Sequence, residues 1–277
     1  MDEHLSKIIE ESSRLTVPQS KTKEDVWKQL SEKIDKLPQD KQSLVEAKSV
    51  RLYWGVAIGV AASIAIVALY FGFFSITTIS TKAAEHLVYS LPDGSSVTLN
   101  ADSKIEFKKM GWKDARSITL EGEAFFEVQK GSEFTVNSAR RTITVLGTSF
   151  NVSNRQRILR VACFSGKVRV NLEDNEAILE KDELIEEDNT GIVRREKFNA
   201  EREASWRRGE FYFEGARLGL VIDELERQFN IEIVFNGDPN RLYTGYFNNQ
   251  SLDEAMILIF KPMALKYRKE DSKVIIE

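Results

Sequence analysis

The run LYWGVAIGVAASIAIVALYFGFFSITTIST, residues 52–81, carries no charged side chain and separates a short N-terminal arm from a much longer C-terminal part. From Leu52 to Ile76 it holds 25 residues. As a helix these cover about 37 Å at about 1.5 Å per residue, enough for a hydrocarbon core of about 30 Å. A lone segment in lipid must satisfy its backbone donors and acceptors internally, so the expectation is a single transmembrane helix. Tyr53 and Trp54 at one end, and Tyr70, Phe71, Phe73 and Phe74 at the other, fall where interfacial aromatic residues collect. A cleaved signal peptide fits less well. The run follows 51 residues instead of a short basic leader, exceeds the usual core of about 7–15 residues, and has no A-x-A site beyond it. Lys33, Lys36, Lys41, Lys48 and Arg51 precede the run closely, whereas Lys82 alone follows it, which places the N-terminus in the cytoplasm and residues after the run outside. Gly55, Gly59 and Ser63 have the spacing that lets two such helices approach, although small residues are common in membrane helices generally.

Working outward, the arm balances its acidic and basic residues, so the net charge of −4 belongs to the exterior part. No long basic run or basic-aromatic face occurs, which argues against direct nucleic-acid binding. Cys163 is the one cysteine. It makes no internal disulfide, and its alternating neighbours Leu159 and Val161 predict a strand with the thiol on the apolar face. The two histidines are His4, in the arm, and His86, just past the run, so neither a Ser-His-Asp nor a Cys-His arrangement can form within the last 190 residues, and a His/Cys metal site is equally excluded there. No phosphate-binding or dinucleotide fingerprint occurs, and no cofactor is expected. Glu121, Glu123 and Glu127 invite a paired-carboxylate reading of the glycosidase kind. Their spacing by two instead predicts one solvated face of a strand.

In the arm, residues around His4 to Ser12 form a weakly amphipathic first helix. A second is better marked, with Thr22 and Asp25 as a capping box, Val26, Trp27, Leu30, Ile34 and Leu37 at helical spacing, and Pro38 as its stop. An apolar stripe with no core of its own suits a helix-in-groove ligand of a cytoplasmic partner, or a helix lying on the membrane. From residue 86 to 198 short runs alternate with period two, among them Val97-Thr98-Leu99, Ile105-Glu106-Phe107, Ser117-Ile118-Thr119-Leu120, Thr142-Ile143-Thr144-Val145 and Lys167-Val168-Arg169-Val170. Asp93-Gly94, Gly122, Gly131, Gly147, Gly166 and Thr190-Gly191 punctuate them, which predicts an all-β domain of roughly ten strands. Residues 206–277 read as β-α-β-β-α-β-β, a small α+β domain with both helices on one face of a sheet. Its first helix carries Leu218, Val221, Ile222, Leu225 and Phe229, and its second starts at the Ser251/Glu254 cap and stops at Pro262.

The β region resembles the FecR family of single-span bacterial sigma-factor regulators. The phrases LPDGSSVTLNADSKIEF (91–107), RSITLEGEAFFEV (116–128), FTVNSARRTITVLGTSFNV (134–152) and FSGKVRVNL (164–172) fall in the family's order and spacing. From Trp206 through FYFEGARLGLVIDELERQFNIEIVF the chain is similar to the C-terminal domain of Bacteroidetes-type members, with the pattern of the secretin/TonB short N-terminal fold. The resemblance implies a relay across two membranes. The signalling domain of a TonB-dependent outer-membrane receptor contacts the periplasmic part, the cytoplasmic arm holds an extracytoplasmic-function sigma factor, and stepwise cleavage by envelope proteases releases or activates it. Sigma-factor binding then falls to Val26, Trp27, Leu30 and Ile34, on an arm shorter than that of many members. Some relatives cut themselves at a Gly-Thr bond matched here by Gly147 and Thr148. The Thr148 hydroxyl can attack the Gly147 carbonyl without a histidine, but a turn glycine beside a strand threonine explains the pair equally.

The expected organisation is therefore a cytoplasmic sigma-interacting arm (1–51), a transmembrane helix (52–76) in the inner membrane, a linker (77–85), a periplasmic all-β FecR domain, solenoid- or sandwich-like (86–198), and the α+β domain (206–277). The chain is expected to act as a non-enzymatic signal transducer. The rival expectation is a membrane-tethered periplasmic binding module for glycan or envelope structures.

Overall fold

The computed structural model describes residues 22–36, 54–67, 72, 75–172, 175–270 and 273–277. The chain divides into two units, 1–68 and 69–277. In the first, helix α1 (Lys23–Asp35) follows Thr22 and buries none of its residues. The Thr22 hydroxyl donates to the Asp25 carboxylate at 2.7 Å and caps no backbone N–H, so a bond between the two side chains stands in place of the expected box. The earlier helix around His4 and the stop at Pro38 lie outside the described residues. Residues 54–67 are helical, and the Ser63 hydroxyl returns to the Val60 carbonyl at 2.8 Å. No described helix is long and apolar enough to cross a membrane, and the expected span of 52–76 lies partly outside the described residues.

The second unit begins with a sheet of 13 strands where roughly ten were expected. These are β1 (Thr77–Thr81), β2 (Leu87–Ser90), β3 (Ser96–Leu99), β4 (Ser103–Phe107), β5 (Arg116–Glu127), β6 (Phe134–Ser138), β7 (Arg141–Val145), β8 (Ser149–Arg155), β9 (Ile158–Ser165), β10 (Lys167–Asn171), β11 (Glu176–Glu180), β12 (Glu183–Glu187) and β13 (Val193–Lys197). The first of them corrects the linker expected at 77–85. Residues Thr77–Thr81 pair with β4 in five-residue antiparallel register, Thr77 opposite Phe107 and Thr81 opposite Ser103. The run of β-branched residues at the end of the uncharged stretch suits a strand better than the end of a helix.

Strand β5 is the spine. Its first half pairs with β4 and, in parallel, with β6, and its second half with β3 and β8. Layer A thus runs β1-β4-β5-β6-β7-β10-β11 and layer B runs β2-β3-β5-β8-β9-β12-β13. The sheet folds over at Gly122, which punctuates no turn. It sits inside β5 with φ +88°, where an ideal Cβ would lie 2.6 Å from Ser103 Oγ and 2.8 Å from the Asp102 carbonyl oxygen. Only glycine accepts both that backbone and that approach. The inner faces enclose one core of Val97, Leu99, Ile105, Ile118, Phe126, Phe134, Phe150 and Val161. Cys163 is buried in it as expected, and burial pushes its thiol up to about 11.

Layer A alternates buried and part-exposed positions cleanly, as in β4 and β6. Layer B does not. Ala124, Phe125 and Phe126 are all buried, as are Val161, Ala162 and Cys163, because its outer face is covered by the rest of the unit. That part comprises β14 (Glu210–Arg217), α2 (Leu218–Phe229), β15 (Glu232–Phe235), β16 (Leu242–Asn248), α3 (Leu252–Phe260), β17 (Tyr267–Glu270) and β18 (Lys273–Ile276), in the expected order. The single sheet expected beneath the helices is instead two, a β14–β16 ribbon and a three-stranded β15-β18-β17 sheet. Strand β15 reaches no fully buried position and lies at an edge. Both sheets and both helices share one core that includes Phe125 of β5. Helix α2 satisfies its first donors on loop carbonyls, Leu218 N to Arg241 O at 2.8 Å and Gly219 N to Pro239 O at 2.9 Å, and ends at Asn230 in the left-handed region. Helix α3 is capped by Ser251, whose hydroxyl accepts from Glu254 N at 3.3 Å.

Candidate functional site

The expected sigma-binding residues are all on one described element. Val26, Trp27, Leu30 and Ile34 recur along α1 and all are exposed, Trp27 at 72%. Residues at i, i+1, i+4 and i+8 of a helix form one stripe, so the four make a contiguous apolar strip. Charged and polar side chains, Lys23, Glu24, Lys28 and Glu32 among them, occupy the rest of the helix.

Gly147 and Thr148 lie just before β8. Thr148 is buried, and its hydroxyl donates to the Lys167 carbonyl at 3.0 Å. Gly166 packs against the pair closely enough that a Cβ there would meet Thr148 Oγ1 at 2.8 Å and the Gly147 carbonyl oxygen at 3.0 Å. Gly147 has a packing reason of its own, since a Cβ there would lie 2.8 Å from Lys130 Cα, and the hydroxyl of Thr148 is held by Lys167.

The three glutamates separate, and the solvated face expected for them is corrected at Glu123. Glu121 is exposed and pairs with Lys104 at 3.1 Å, and Glu127 accepts from the Ser96 hydroxyl at 3.0 Å. The Glu123 side chain is only 13% exposed, and its two carboxylate oxygens accept from Asn100 Nδ2 at 2.8 Å and Asn151 Nδ2 at 2.9 Å. Alternation placed it correctly on the outer face of layer B, but α2 covers that face. Burial pushes its pKa above the usual carboxylate range, against the pull of Arg155, and the nearby Glu224 adds to the rise.

Around Glu123 the two halves of the unit meet through polar groups. Gln228 Nε2 donates to Asn100 Oδ1 at 2.9 Å and to Glu224 Oε1 at 2.8 Å, while Gln228 Oε1 lies 3.0 Å from His86 Nε2. Arg227 Nη2 donates to Glu224 at 2.6 Å. Burial alone would raise Glu224, but Arg227 and then Arg155 outweigh it and hold the carboxyl below its ordinary value. Arg155 donates to the Ala101 carbonyl at 2.6 Å and keeps its Nε 4.0 Å from Glu123. An aromatic border flanks the network, with Arg207 3.6 Å over the Phe125 ring and His86 edge-on to Trp206 at 5.6 Å. Beside it opens a polar concavity of about 520 Å³, lined by Lys104, Arg155, Asn154 and Arg227. No three metal-ligating side chains converge among the described residues.

Sequence reading missed Asn100, Arg155, Glu224 and Gln228. The signal was present in α2, where Glu224 and Gln228 interrupt the stripe that Val221 and Leu225 define.

Two family profiles match the chain, "FecR protein" over residues 77–169 and "FecR, C-terminal" over residues 210–276. Crystal structures of a candidate anti-sigma factor from Parabacteroides distasonis, at 2.50 and 1.65 Å, share its fold with TM-scores of 0.68 and 0.67. Both are 32% identical over 73% of this chain and 98% of theirs. No curated protein matches the sequence.

Proposed function

From the premise that this chain belongs to the FecR family, we propose that it is an anti-sigma factor, a single-pass signal transducer of the inner membrane. Residues 52–76 cross the membrane, the arm 1–51 lies in the cytoplasm, and residues from 77 onward lie in the periplasm. The helical character of 54–67 and the return of the Ser63 hydroxyl to its own helix support that reading. The periplasmic part receives the signalling domain of a TonB-dependent outer-membrane receptor, and envelope proteases pass the signal on by cutting the chain. The effector is an extracytoplasmic-function sigma factor bound by the arm. The chain needs no cofactor and performs no catalysis on another molecule.

The observation that carries the proposal is the bare apolar stripe on α1. A Trp and three aliphatic residues kept in water on one helix face are a groove-binding pattern, and buried Trp anchors at such interfaces contribute about 2 kcal/mol or more. Co-purification of the full chain from detergent with the sigma factors of its host tests it. One sigma factor is expected to be retained, and lost when Trp27→Ala and Leu30→Ala are combined. Retention unaffected by those changes, or no sigma factor at all, counts against the assignment.

A further inference from the structure

Strand β1 is formed by the last five residues of the uncharged run, and it lies at the edge of layer A with β4 as its one partner among the described residues. Its end is tied down from an unexpected direction. Thr81 is buried, its hydroxyl donates to the Asn100 carbonyl at 2.6 Å, and it accepts from Ser103 N at 3.0 Å. Asn100 is also the residue on which α2 closes, through Gln228 Nε2. The connection after β1 is held by the same turn of α2. Ala84 N donates to the Arg227 carbonyl at 2.7 Å, and His86 meets Gln228 Oε1 at 3.0 Å. Lys82 O accepts from Asp102 N at 3.2 Å. The last turn of α2 thus fastens residues 81–86 directly at two points, Ala84 and His86, and reaches Thr81 through Asn100.

The fastening is polar. Gln228, Asn100, Glu123 and Glu224 exchange hydrogen bonds that water can replace when this turn shifts. Glu123 adds a carboxylate whose cation, Arg155 Nε, stands 4.0 Å away. An edge strand carries one ladder of hydrogen bonds instead of two, and local opening starts at such elements.

We propose that the last turn of α2, with Gln228 at its centre, is a latch on strand β1: displacing α2 frees residues 77–86 as an extended segment next to the membrane. Taken with the reading of the chain as a transmembrane signal transducer, on which its biological use rests, the latch carries an event at the C-terminal part to the segment adjoining residues 52–76. A partner of the C-terminal part therefore does not need to touch β1 to expose it.

Hydrogen exchange of the full chain in detergent micelles, read by mass spectrometry, tests the latch without reference to any sigma factor. Gln228→Met keeps the length and volume of the side chain and removes its hydrogen bonds. Peptides covering 77–86 are expected to exchange about ten-fold faster in this variant, while peptides covering 134–145 in β6 and β7 keep their protection. Thr81→Val, cut on the other side of Asn100, is expected to speed exchange at 77–86 and leave 218–229 in α2 unchanged. Unaltered protection of 77–86 in either variant, or equal acceleration across layer A, overturns the latch. A latch seen in a chain that retains no sigma factor overturns the functional assignment alone.

Discussion

Among single residues, Gly122 and Glu123 decide most. Gly122 combines a positive φ with a backbone contact on the side where a Cβ would project, so Gly122→Ala is expected to destabilise the unit that holds it by about 2–4 kcal/mol, measured by denaturant unfolding. Neighbouring Glu123 is a titration prediction. Its folded pKa lies above the ordinary 4.5, so its contribution to stability is complete below that value and is lost as pH rises through the folded pKa. Glu224 has the opposite sign: its contribution is complete above the ordinary 4.5 and is lost as pH falls through its lowered pKa. Glu123→Gln keeps the shape without the charge, and turning the Asn151 amide restores its pairing, since Asn151 Oδ1 has no partner. The variant is expected to unfold at higher temperature than the wild type at pH 8, by about 1 kcal/mol, with the difference closing as pH falls toward 4.5. A difference that widens on acidification would show that Arg155 dominates the site.

Elements are governed by their ends and by what covers their faces. Helix α2 turns out of its last turn at Asn230, with φ +52° and its N–H on the Glu226 carbonyl. Asn230→Gly is expected to change stability by less than about 0.5 kcal/mol, whereas Asn230→Val, β-branched in a left-handed position, costs about 1–2 kcal/mol. Thermal melts of the two variants separate a conformational cost from a lost contact. Helix identity and order in the C-terminal part were legible because Leu218, Val221, Ile222 and Leu225 repeat at helical spacing and Ser251 caps α3. Strand β1 was not, because Thr77–Thr81 extends an apolar run without a break, and only its pairing with β4 separates strand from span.

For the whole molecule, the FecR-matched part and the C-terminal part share a buried face. Phe125 belongs to the core of the latter, Phe164 packs against it, and Arg160 joins β9 to Glu203 through two hydrogen bonds of 3.0 and 2.9 Å. The two parts are expected to unfold together, so that Trp112 in one core and Trp206 in the other report a single transition. A chain ended after residue 198 leaves Phe125, Phe164 and Glu123 uncovered. It is expected to bind a hydrophobic dye and associate, in contrast to the full chain. Two separate transitions, or a truncated chain as monodisperse as the parent, would contradict this shared face.

What the sequence by itself determined was everything with a local period or a local end. That covers the uncharged run, the stripe on α1, the alternation of the strands, the Ser251 cap and the family phrases, because these depend on neighbours a few residues apart. The tertiary structure alone decided which side of layer B meets water. Alternation assigns Glu123 and Phe125 to one outer face, and the covering of that face by α2 and Trp206, about a hundred residues later in the chain, turns a surface into a seam. Burial is a property of the folded contact map, and no spacing along the chain encodes that Asn100, Glu123 and Gln228 meet.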